Sequence, residues 1–295
     1  MFFRRVLAGM QFAECPGCEH PACKYCRFQR CLTAGMTADM SPLFYITAED
    51  NKELTDLLRV LKVTNSIRER FFKAVYTTED LSVEDLAKIP GTVRFKKRSG
   101  SIELDNGEWG FMNAVTSIDY LKKIEFMKNL DLVDQTILLK QGFFQFSLFA
   151  CAFHSASLGQ SSITFPDGST VVPRGLKNSK QLEHNISYRL PGKLLLLGMT
   201  KKEFLLLSLV LFCNPGLPGL SDRARAIINS HLQKYVSALN NYCLITHQRN
   251  GPTRYADLVM SVTTVIGLTV RDLGSHFLLL KMNYPNLKYK KVFDH

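Results

Sequence analysis

The chain has 295 residues, of which 46% are hydrophobic and 21% are charged, an ordinary globular composition that excludes a wholly disordered protein. Its formal net charge of +11 suggests a polyanionic partner such as nucleic acid, but residues 1–44 carry a net charge of only +2. The longest apolar runs, 142–153 and 204–213, are shorter than the roughly 20 residues that span a bilayer. Since arginines also interrupt the first apolar stretch, we expect neither a membrane span nor a signal peptide.

Five of the eight cysteines lie close together near the start of the chain, between positions 15 and 31. Four of them form two CxxC pairs separated by four residues: Cys15, Cys18, Cys23 and Cys26. Two such pairs supply the four thiolates of a closed, structural zinc site, and the clustering favours a metal over disulfides. Alternatives are that His20 replaces Cys18 as a ligand, or that some of the thiols hold no metal. The isolated Cys151, Cys213 and Cys243 are expected in the core.

Helical patterns dominate after the cysteine cluster and a hinge predicted at residues 37–49. Leucines at i, i+3, i+4 and i+7 predict an amphipathic helix around residues 54–61. Residues 79–106 hold Pro90, two glycines and a basic cluster, so we predict a surface loop whose basic residues are either solvated or a nuclear-import signal. A long helical stretch is expected over 109–154.

The second half of the chain carries several turn and capping signals. Asp167-Gly168 predicts a tight hairpin between the β-prone runs 163–165 and 170–172. Thr200 and Glu203 have the spacing of a capping box, for a helix that should stop at Asn214-Pro215. Further helices are predicted from Ser221-Asp222 to His247 and from Arg254 to Met282.

Catalysis is disfavoured because the sequence has no GxSxG elbow, HExxH site, phosphate-binding glycine loop or dinucleotide fingerprint. Its seven histidines are scattered along the chain. We therefore predict that the protein is not an enzyme.

The run CKYCRFQRCLTAGM at residues 23–36 resembles the end of the second zinc finger of nuclear receptors. The stretch FFRR at residues 2–5 is similar to the end of the helix that this family places in the major groove. The resemblance implies zinc ligation by the four cysteines, a packing role for Cys31, and phosphate contacts from four basic residues: Arg4, Arg5, Arg27 and Arg30. Phosphate contacts position a protein on DNA without reading its sequence. The family's first finger has no counterpart, as expected for a truncated gene model or a splice form.

A second resemblance to the same family covers residues 50–295. The run YLKKIEFMKNLDLVDQTILLK at residues 120–140 is similar to the signature of its ligand-binding domain, with Met127 in place of the usual aromatic residue. The run EFLLLSLVLFCNPGLPGLS is similar to a later helix and turn. NGPTRYADL and LKYKKVFDH resemble the nematode branch of the family.

These resemblances imply a mainly α fold: a partial zinc finger at 1–36, a hinge at 37–49, and a three-layer α-helical sandwich with one short β-hairpin at 50–295. They imply a nuclear transcription factor for RNA polymerase II genes that binds zinc, DNA, a small apolar ligand and coregulator peptides, and that forms homo- or heterodimers. Leu258, Val262, Val265 and Leu268 match the dimerisation helix, but they are equally compatible with burial in the monomer.

The expected ligand pocket includes four aromatic residues that either contact a ligand or fill the core: Phe143, Phe144, Phe146 and Phe149. Lys122 and Lys140 match family positions whose ammonium groups cap the C-terminal carbonyls of a docked coregulator helix. Lys291 stands where the family has the opposing glutamate, which leaves activation, repression and constitutive behaviour open. Two alternatives remain: a ligand sensor or dimerisation partner that does not bind DNA, and a lipid carrier that binds no coregulator.

Overall fold

The computed structural model describes residues 15, 18, 23–33, 48–99, 103–172, 179–286 and 288–294. The chain divides into two compact units, Met1–Ala48 and Glu49–His295. In the first unit, helix α1 spans Lys24–Thr33, directly after Cys23. Arg4, Arg5, His20 and nearly all of the predicted hinge lie outside the described residues, so the expectations for them stay predictions.

The second unit is mainly helical, as the sequence predicts. Its helices are α2 (Ala48–Ala74), α3 (Val83–Lys88), α4 (Asn106–Leu121), α5 (Leu132–Ser157), α6 (Lys180–Leu197), α7 (Lys201–Phe212), α8 (Asp222–His247), α9 (Gly251–Ala256) and α10 (Thr263–Asn283). Short 3-10 helices span Glu125–Asn129, Gln248–Asn250 and Lys291–Phe293, and a π-helical segment, Asp257–Val262, joins α9 to α10.

Helix α5 is the centre of the second unit, since α3, α4, α6, α7 and α10 all pack against it. Helix α8 packs on α7 and α9, while α10 packs on α6. This arrangement is the predicted three-layer helical sandwich. Much of α5 is buried, including Cys151, and the other two isolated cysteines are also in the core as predicted.

Local sequence signals explain where several helices begin and end. The Thr200 side chain accepts a hydrogen bond from the Glu203 amide while the Glu203 carboxylate accepts from the Thr200 amide, so the predicted capping box is confirmed. The Ser221 hydroxyl caps α8 by accepting from the amide of Ala224. Helix α7 ends at Phe212, just before Asn214-Pro215, as predicted.

The predicted hairpin is present as a single antiparallel bridge between Thr164 and Thr170. Gly168 sits in its turn with a φ of 86°, which a residue with a side chain rarely adopts. The expectation of one hairpin is incomplete, because β1 (Val75–Tyr76) pairs with β2 (Lys96–Lys97) in a separate two-stranded sheet.

The prediction of a surface loop over residues 79–106 is wrong, since the segment contains α3 and β2. Ser82 and Asp85 form a capping box that starts α3, and this local signal outweighs the turn residues around it. The expected helix over 109–154 is divided between α4 and α5, because the chain turns through the 3-10 helix at Glu125–Asn129. Helix α6 was not predicted from the sequence.

Within the described part of the chain, two helical segments are long and apolar enough by composition to cross a membrane: Leu132–Ser157 and Asp222–Asn283. The first is the central helix α5, and its apolar window is 67% buried. A core helix passes the same test, so the segment is accounted for by the fold.

Candidate functional site

A cavity of about 1260 Å³ opens between α4, α5, the hairpin, α10 and the C-terminal residues. Its volume exceeds that of most small-molecule sites. The wall includes Gly110, Asn113, Phe144, Cys151, Phe277 and Phe293. The cavity therefore combines mostly apolar walls with a few polar groups, which is the usual composition of a ligand site.

Asn113 is a polar residue in the apolar face of α4, 6% exposed, and it lines the cavity. Its Nδ2 donates to the carbonyl oxygen of Ser147 at 3.1 Å, and this bond fixes the orientation of the amide. The Oδ1 atom is buried without a hydrogen-bond partner. Since an unsatisfied buried acceptor costs about 1–3 kcal/mol, a ligand group that donates a hydrogen bond here gains this energy back.

His276 on α10 also lines the cavity and is 1% exposed. Neither of its ring nitrogens has a hydrogen-bond partner. Burial lowers the pKa of His276, so its neutral form, with one donor and one acceptor, is favoured at neutral pH. A ligand hydroxyl, which both donates and accepts, is complementary to such a ring and to Asn113.

The predicted phenylalanines divide between the cavity and the core. Phe144 lines the cavity and packs on Phe277, with ring centroids 6.1 Å apart. Phe146 stacks on Tyr120, while Phe149 packs edge-on against Phe204. Phe143 is fully buried and does not line the cavity, nor do Phe146 and Phe149. The ligand interpretation therefore rests on Phe144, and the core interpretation suits the other three.

The C-terminal segment, residues 288–294, forms part of the cavity wall through Lys288, Tyr289, Lys290 and Phe293. The Phe293 ring stacks on Phe277 of α10 at 5.9 Å between centroids. In the same segment, the Lys291 amide donates to Asp80 Oδ1 at 2.9 Å, just ahead of α3. This segment therefore contacts both the cavity and the surroundings of α3.

The two lysines expected at the coregulator groove both contact α3. Lys122 Nζ donates to the carbonyl oxygens of Leu86 and Ile89, each at 2.6 Å. Lys140 forms an ion pair with Glu84. Burial lowers the pKa of Lys122, while the nearby Asp119 opposes that shift. The ammonium group of Lys122 thus caps the C-terminal carbonyls of a helix that belongs to the same chain.

The four cysteines of the N-terminal unit are brought together as a candidate metal site. Their Sγ atoms all lie within 4.8 Å of one another, and those of Cys18 and Cys26 are 3.8 Å apart. Tetrahedral zinc with Zn–S bonds of about 2.3 Å requires sulfur atoms roughly 3.8 Å apart, so the cluster fits this metal. The Cys26 backbone amide lowers the pKa of the Cys23 thiol, which favours the thiolate form that binds metals.

The other predicted residues are placed as follows. Arg27 and Arg30 are exposed on α1, and Arg30 Nε also donates to the Cys26 carbonyl at 3.3 Å. In the expected dimerisation stripe, Leu258 and Val262 are fully buried within the chain, whereas Val265 is only half-buried.

Comparison with known proteins identifies the family. The family sequence profile described as the ligand-binding domain of nuclear hormone receptor matches residues 107–271 of this chain. Nuclear hormone receptor family member nhr-167 of Caenorhabditis elegans is 33% identical over 277 residues, which cover 92% of this chain and 79% of that protein. Family member nhr-27 of the same organism is 32% identical over 308 residues, covering 99% and 84%. Member nhr-9 is 30% identical over 301 residues, covering 99% and 87%.

The chain belongs to the nuclear hormone receptor family, whose members are generally nuclear and are generally not enzymes. The sequence resemblance is thereby confirmed at the level of the family and of its ligand-binding fold.

Sequence reasoning missed Asn113, His276 and helix α3. Asn113 and His276 each stand in an apolar helical run, WGFMNAV and LGSHFLLL, and an isolated polar residue in such a run is a usable signal. The Ser82–Asp85 spacing followed by Leu86 and Ala87 was the signal for α3.

Proposed function

We propose that this chain is a ligand-regulated transcription factor that controls RNA polymerase II genes in the nucleus. The single observation that carries the proposal is the cavity, whose wall includes polar atoms that are deeply buried without hydrogen-bond partners: Asn113 Oδ1 and both ring nitrogens of His276. A protein core rarely leaves such groups unsatisfied unless a bound molecule or water completes them. Family membership makes a regulatory ligand the natural occupant.

The chemistry of the cavity favours an elongated apolar ligand that carries a hydroxyl group. A ligand hydroxyl can donate its hydrogen to Asn113 Oδ1, and a hydroxyl beside the neutral His276 ring can accept from its N–H or donate to its other nitrogen. A plain hydrocarbon leaves Asn113 Oδ1 and the His276 ring unsatisfied, so its affinity should be lower by the energy of those hydrogen bonds.

The ligand proposal is tested by thermal unfolding of the full chain with three probes of equal length: dodecan-1-ol, dodecanoic acid and dodecane. We expect the alcohol to raise Tm most, and Asn113→Leu or His276→Phe to weaken its binding about tenfold. His231→Phe is the matched control, because His231 also has an unsatisfied ring nitrogen but lies outside the cavity wall. Equal stabilisation by dodecane and dodecanol, or none by any probe, contradicts the proposal.

Coregulator binding is proposed for the surface that contains Lys122 and Lys140, where a helical peptide presents leucines to the groove and its C-terminal carbonyls to the lysines. The C-terminal segment offers a physical link between this surface and the ligand, since it lines the cavity and bonds Asp80 beside α3. The exposed residues Leu278 and Met282 on α10 support a dimer with the same or another receptor.

Zinc is the proposed cofactor, held by Cys15, Cys18, Cys23 and Cys26, and it would fold the short segment around them. Arg27 and Arg30, together with Arg4 and Arg5, are proposed to contact DNA phosphates. The exposure of Arg27 and Arg30 on α1 is compatible with this role.

A second candidate function is a ligand sensor or dimerisation partner that does not bind DNA. The single zinc-ligand cluster of the sequence favours it, because Arg–phosphate contacts alone carry no sequence information. Fluorescence anisotropy of the zinc-loaded chain, measured on receptor half-site duplexes and on scrambled duplexes, distinguishes the two candidate functions.

A preference of at least about a hundredfold for half-sites supports specific DNA binding. In that case Arg27→Ala with Arg30→Ala should reduce the slope of affinity against salt concentration by about two. Equal binding to all duplexes, or none, supports the candidate that does not bind DNA.

A further inference from the structure

Helix α3 has the features of a groove-bound peptide helix, although it belongs to the chain itself. Its apolar face consists of Val83, Leu86 and Ala87 at i, i+3 and i+4, and all three are buried. The helix packs on α4, whose C-terminal cap is Lys122, and on α5, which carries Lys140. This spacing of apolar anchors is the one by which amphipathic helices dock into hydrophobic grooves.

The C-terminal end of α3 is held by the proposed coregulator clamp. Lys122 Nζ caps the carbonyls of Leu86 and Ile89, as a clamp lysine would cap an external helix. Lys140 pairs with Glu84, one turn earlier. Both lysines assigned to coregulator binding are therefore already engaged.

The N-terminal end of α3 faces the C-terminal segment. Hydrogen bonds from Ser82 hold the pKa of Asp85 below its usual value, and the positive charges of Lys291 and Lys88 add to this effect. The Lys291 amide donates to Asp80. An acidic residue at position 291 would favour an external helix by receiving its N-terminal amides, whereas Lys291 repels the positive end of that helix's dipole. Helix α3 caps its own amides through Ser82 and brings acidic residues, so a lysine at 291 is complementary to it.

We propose that α3 is a built-in occupant of the coregulator groove, which an external coregulator helix must displace before it binds. The inference rests on the proposed function, since it assumes that this groove is the coregulator site. A tethered occupant acts at an effective concentration of millimolar order, so even weak docking of α3 competes strongly with a peptide in solution.

The test measures anisotropy of two labelled peptides on the full chain. One is the chain's own segment, residues 81–91 (LSVEDLAKIPG), and the other is an amphipathic helical peptide with leucines at i, i+3 and i+4. Glu84→Lys opens the groove by replacing the ion pair to Lys140 with repulsion. Because Glu84 is partly exposed, this variant should remain folded. Glu79→Lys is the matched control, with the same charge change on an exposed residue ahead of α3.

We expect both peptides to bind Glu84→Lys at least about tenfold more tightly than the wild type or Glu79→Lys, a difference of about 1.4 kcal/mol. Adding Lys122→Glu to the opened chain should abolish the gain. Leu86→Glu, which removes the central anchor, should open the groove further. Thermal unfolding of Leu86→Glu is measured first, and the variant is used only if it unfolds cooperatively. The comparison of Glu84→Lys with the wild type does not depend on the Leu86→Glu variant.

Two results overturn the inference and are distinguishable from each other. If the leucine peptide binds the wild type and Glu84→Lys equally well, coregulator docking holds but α3 does not compete for the groove. If neither peptide binds the folded Glu84→Lys chain, the assignment of this groove to coregulators fails, and the inference fails with it.

Discussion

Three histidines, His154, His231 and His276, have pKa values that burial lowers below the ordinary value. In the unfolded chain these groups take up protons near pH 6.5, whereas in the folded chain they do so only at lower pH. The contribution of these three groups to the stability of the folded state is therefore fully present above about pH 7 and is lost as the pH falls through 6.5.

We predict that His276→Phe makes the fall of Tm between pH 7.5 and 5.5 shallower. The substitution removes one group that must be buried in its neutral form, and it leaves no unsatisfied ring nitrogen, so Tm at pH 7.5 should not fall. Thermal unfolding across the pH series measures both effects. An unchanged pH dependence would show that His276 has the same pKa in the folded and unfolded states.

Gly142 is required by the close approach of α5 to α7. A Cβ atom at this position would lie 2.5 Å from Cδ2 of Phe212. We predict that Gly142→Ala destabilises the chain by about 1–3 kcal/mol, because a buried aromatic ring has to shift. Gly267→Ala on α10, where a Cβ meets nothing within 4 Å, is the control and should be neutral or stabilising. Urea unfolding measures both, and equal effects would exclude the steric explanation.

At the scale of elements, sequence patterns predicted a helix best where an apolar periodicity or a capping signal was not closely followed by proline or glycine. The leucine spacing of α2 and the capping boxes of α7 and α3 are all real, but α3 was hidden by the nearby Pro90 and glycines. Helix α6 contains Pro191 and a mixed surface, so its stability comes from packing on α5 and α10, which a sequence pattern does not reveal.

The residues of the candidate site also differ in how far the sequence alone predicts them. The four cysteines were predictable because metal ligation fixes their spacing in the sequence. Asn113 and His276 line the same cavity only because the fold brings α4 and α10 to its wall. The docking of α3 depends on a contact between Lys122 and a segment more than thirty residues earlier. Such contacts are set by the tertiary fold.

Glu203 joins several helices through one buried carboxylate. Arg254 donates to both of its oxygens, at 2.6 and 2.7 Å, and Arg254 Nη1 donates to the Leu197 carbonyl at 2.6 Å. Burial alone would raise the pKa of Glu203, but the hydrogen bonds from Arg254 and Thr200 outweigh it and keep the pKa below its ordinary value. The start of α7 is thereby tied to the end of α6 and to α9.

We predict that Glu203→Ala destabilises the chain by about 3–5 kcal/mol, because Arg254 is left as a buried charge without its carboxylate. Asp56→Ala removes an exposed ion pair with Arg59 and should change stability by no more than about 1 kcal/mol. Chemical denaturation compares the two variants. A small effect for Glu203→Ala would mean that water reaches the Arg254 guanidinium.

At the scale of the whole molecule, the two compact units should respond differently to loss of metal. We predict one zinc ion per chain, released by a strong chelator, with little change in the Tm of the helical unit. Cys23→Ser should abolish the zinc, whereas Cys243→Ser, in the buried core, should leave it. A colorimetric zinc assay with parallel thermal unfolding measures this, and an equal zinc content in the two variants would exclude the cysteine cluster as the site.

The proposed regulation by a ligand depends on the C-terminal segment, which contacts the cavity through Phe293 and the surroundings of α3 through Lys291. The most direct measurement is the affinity of the full chain for the labelled leucine peptide, with and without saturating dodecan-1-ol. A ligand that regulates coregulator binding should change this affinity by at least about fivefold. An affinity that stays the same while a Tm shift shows the alcohol to be bound would contradict a ligand-regulated receptor and leave a cavity that binds without signalling.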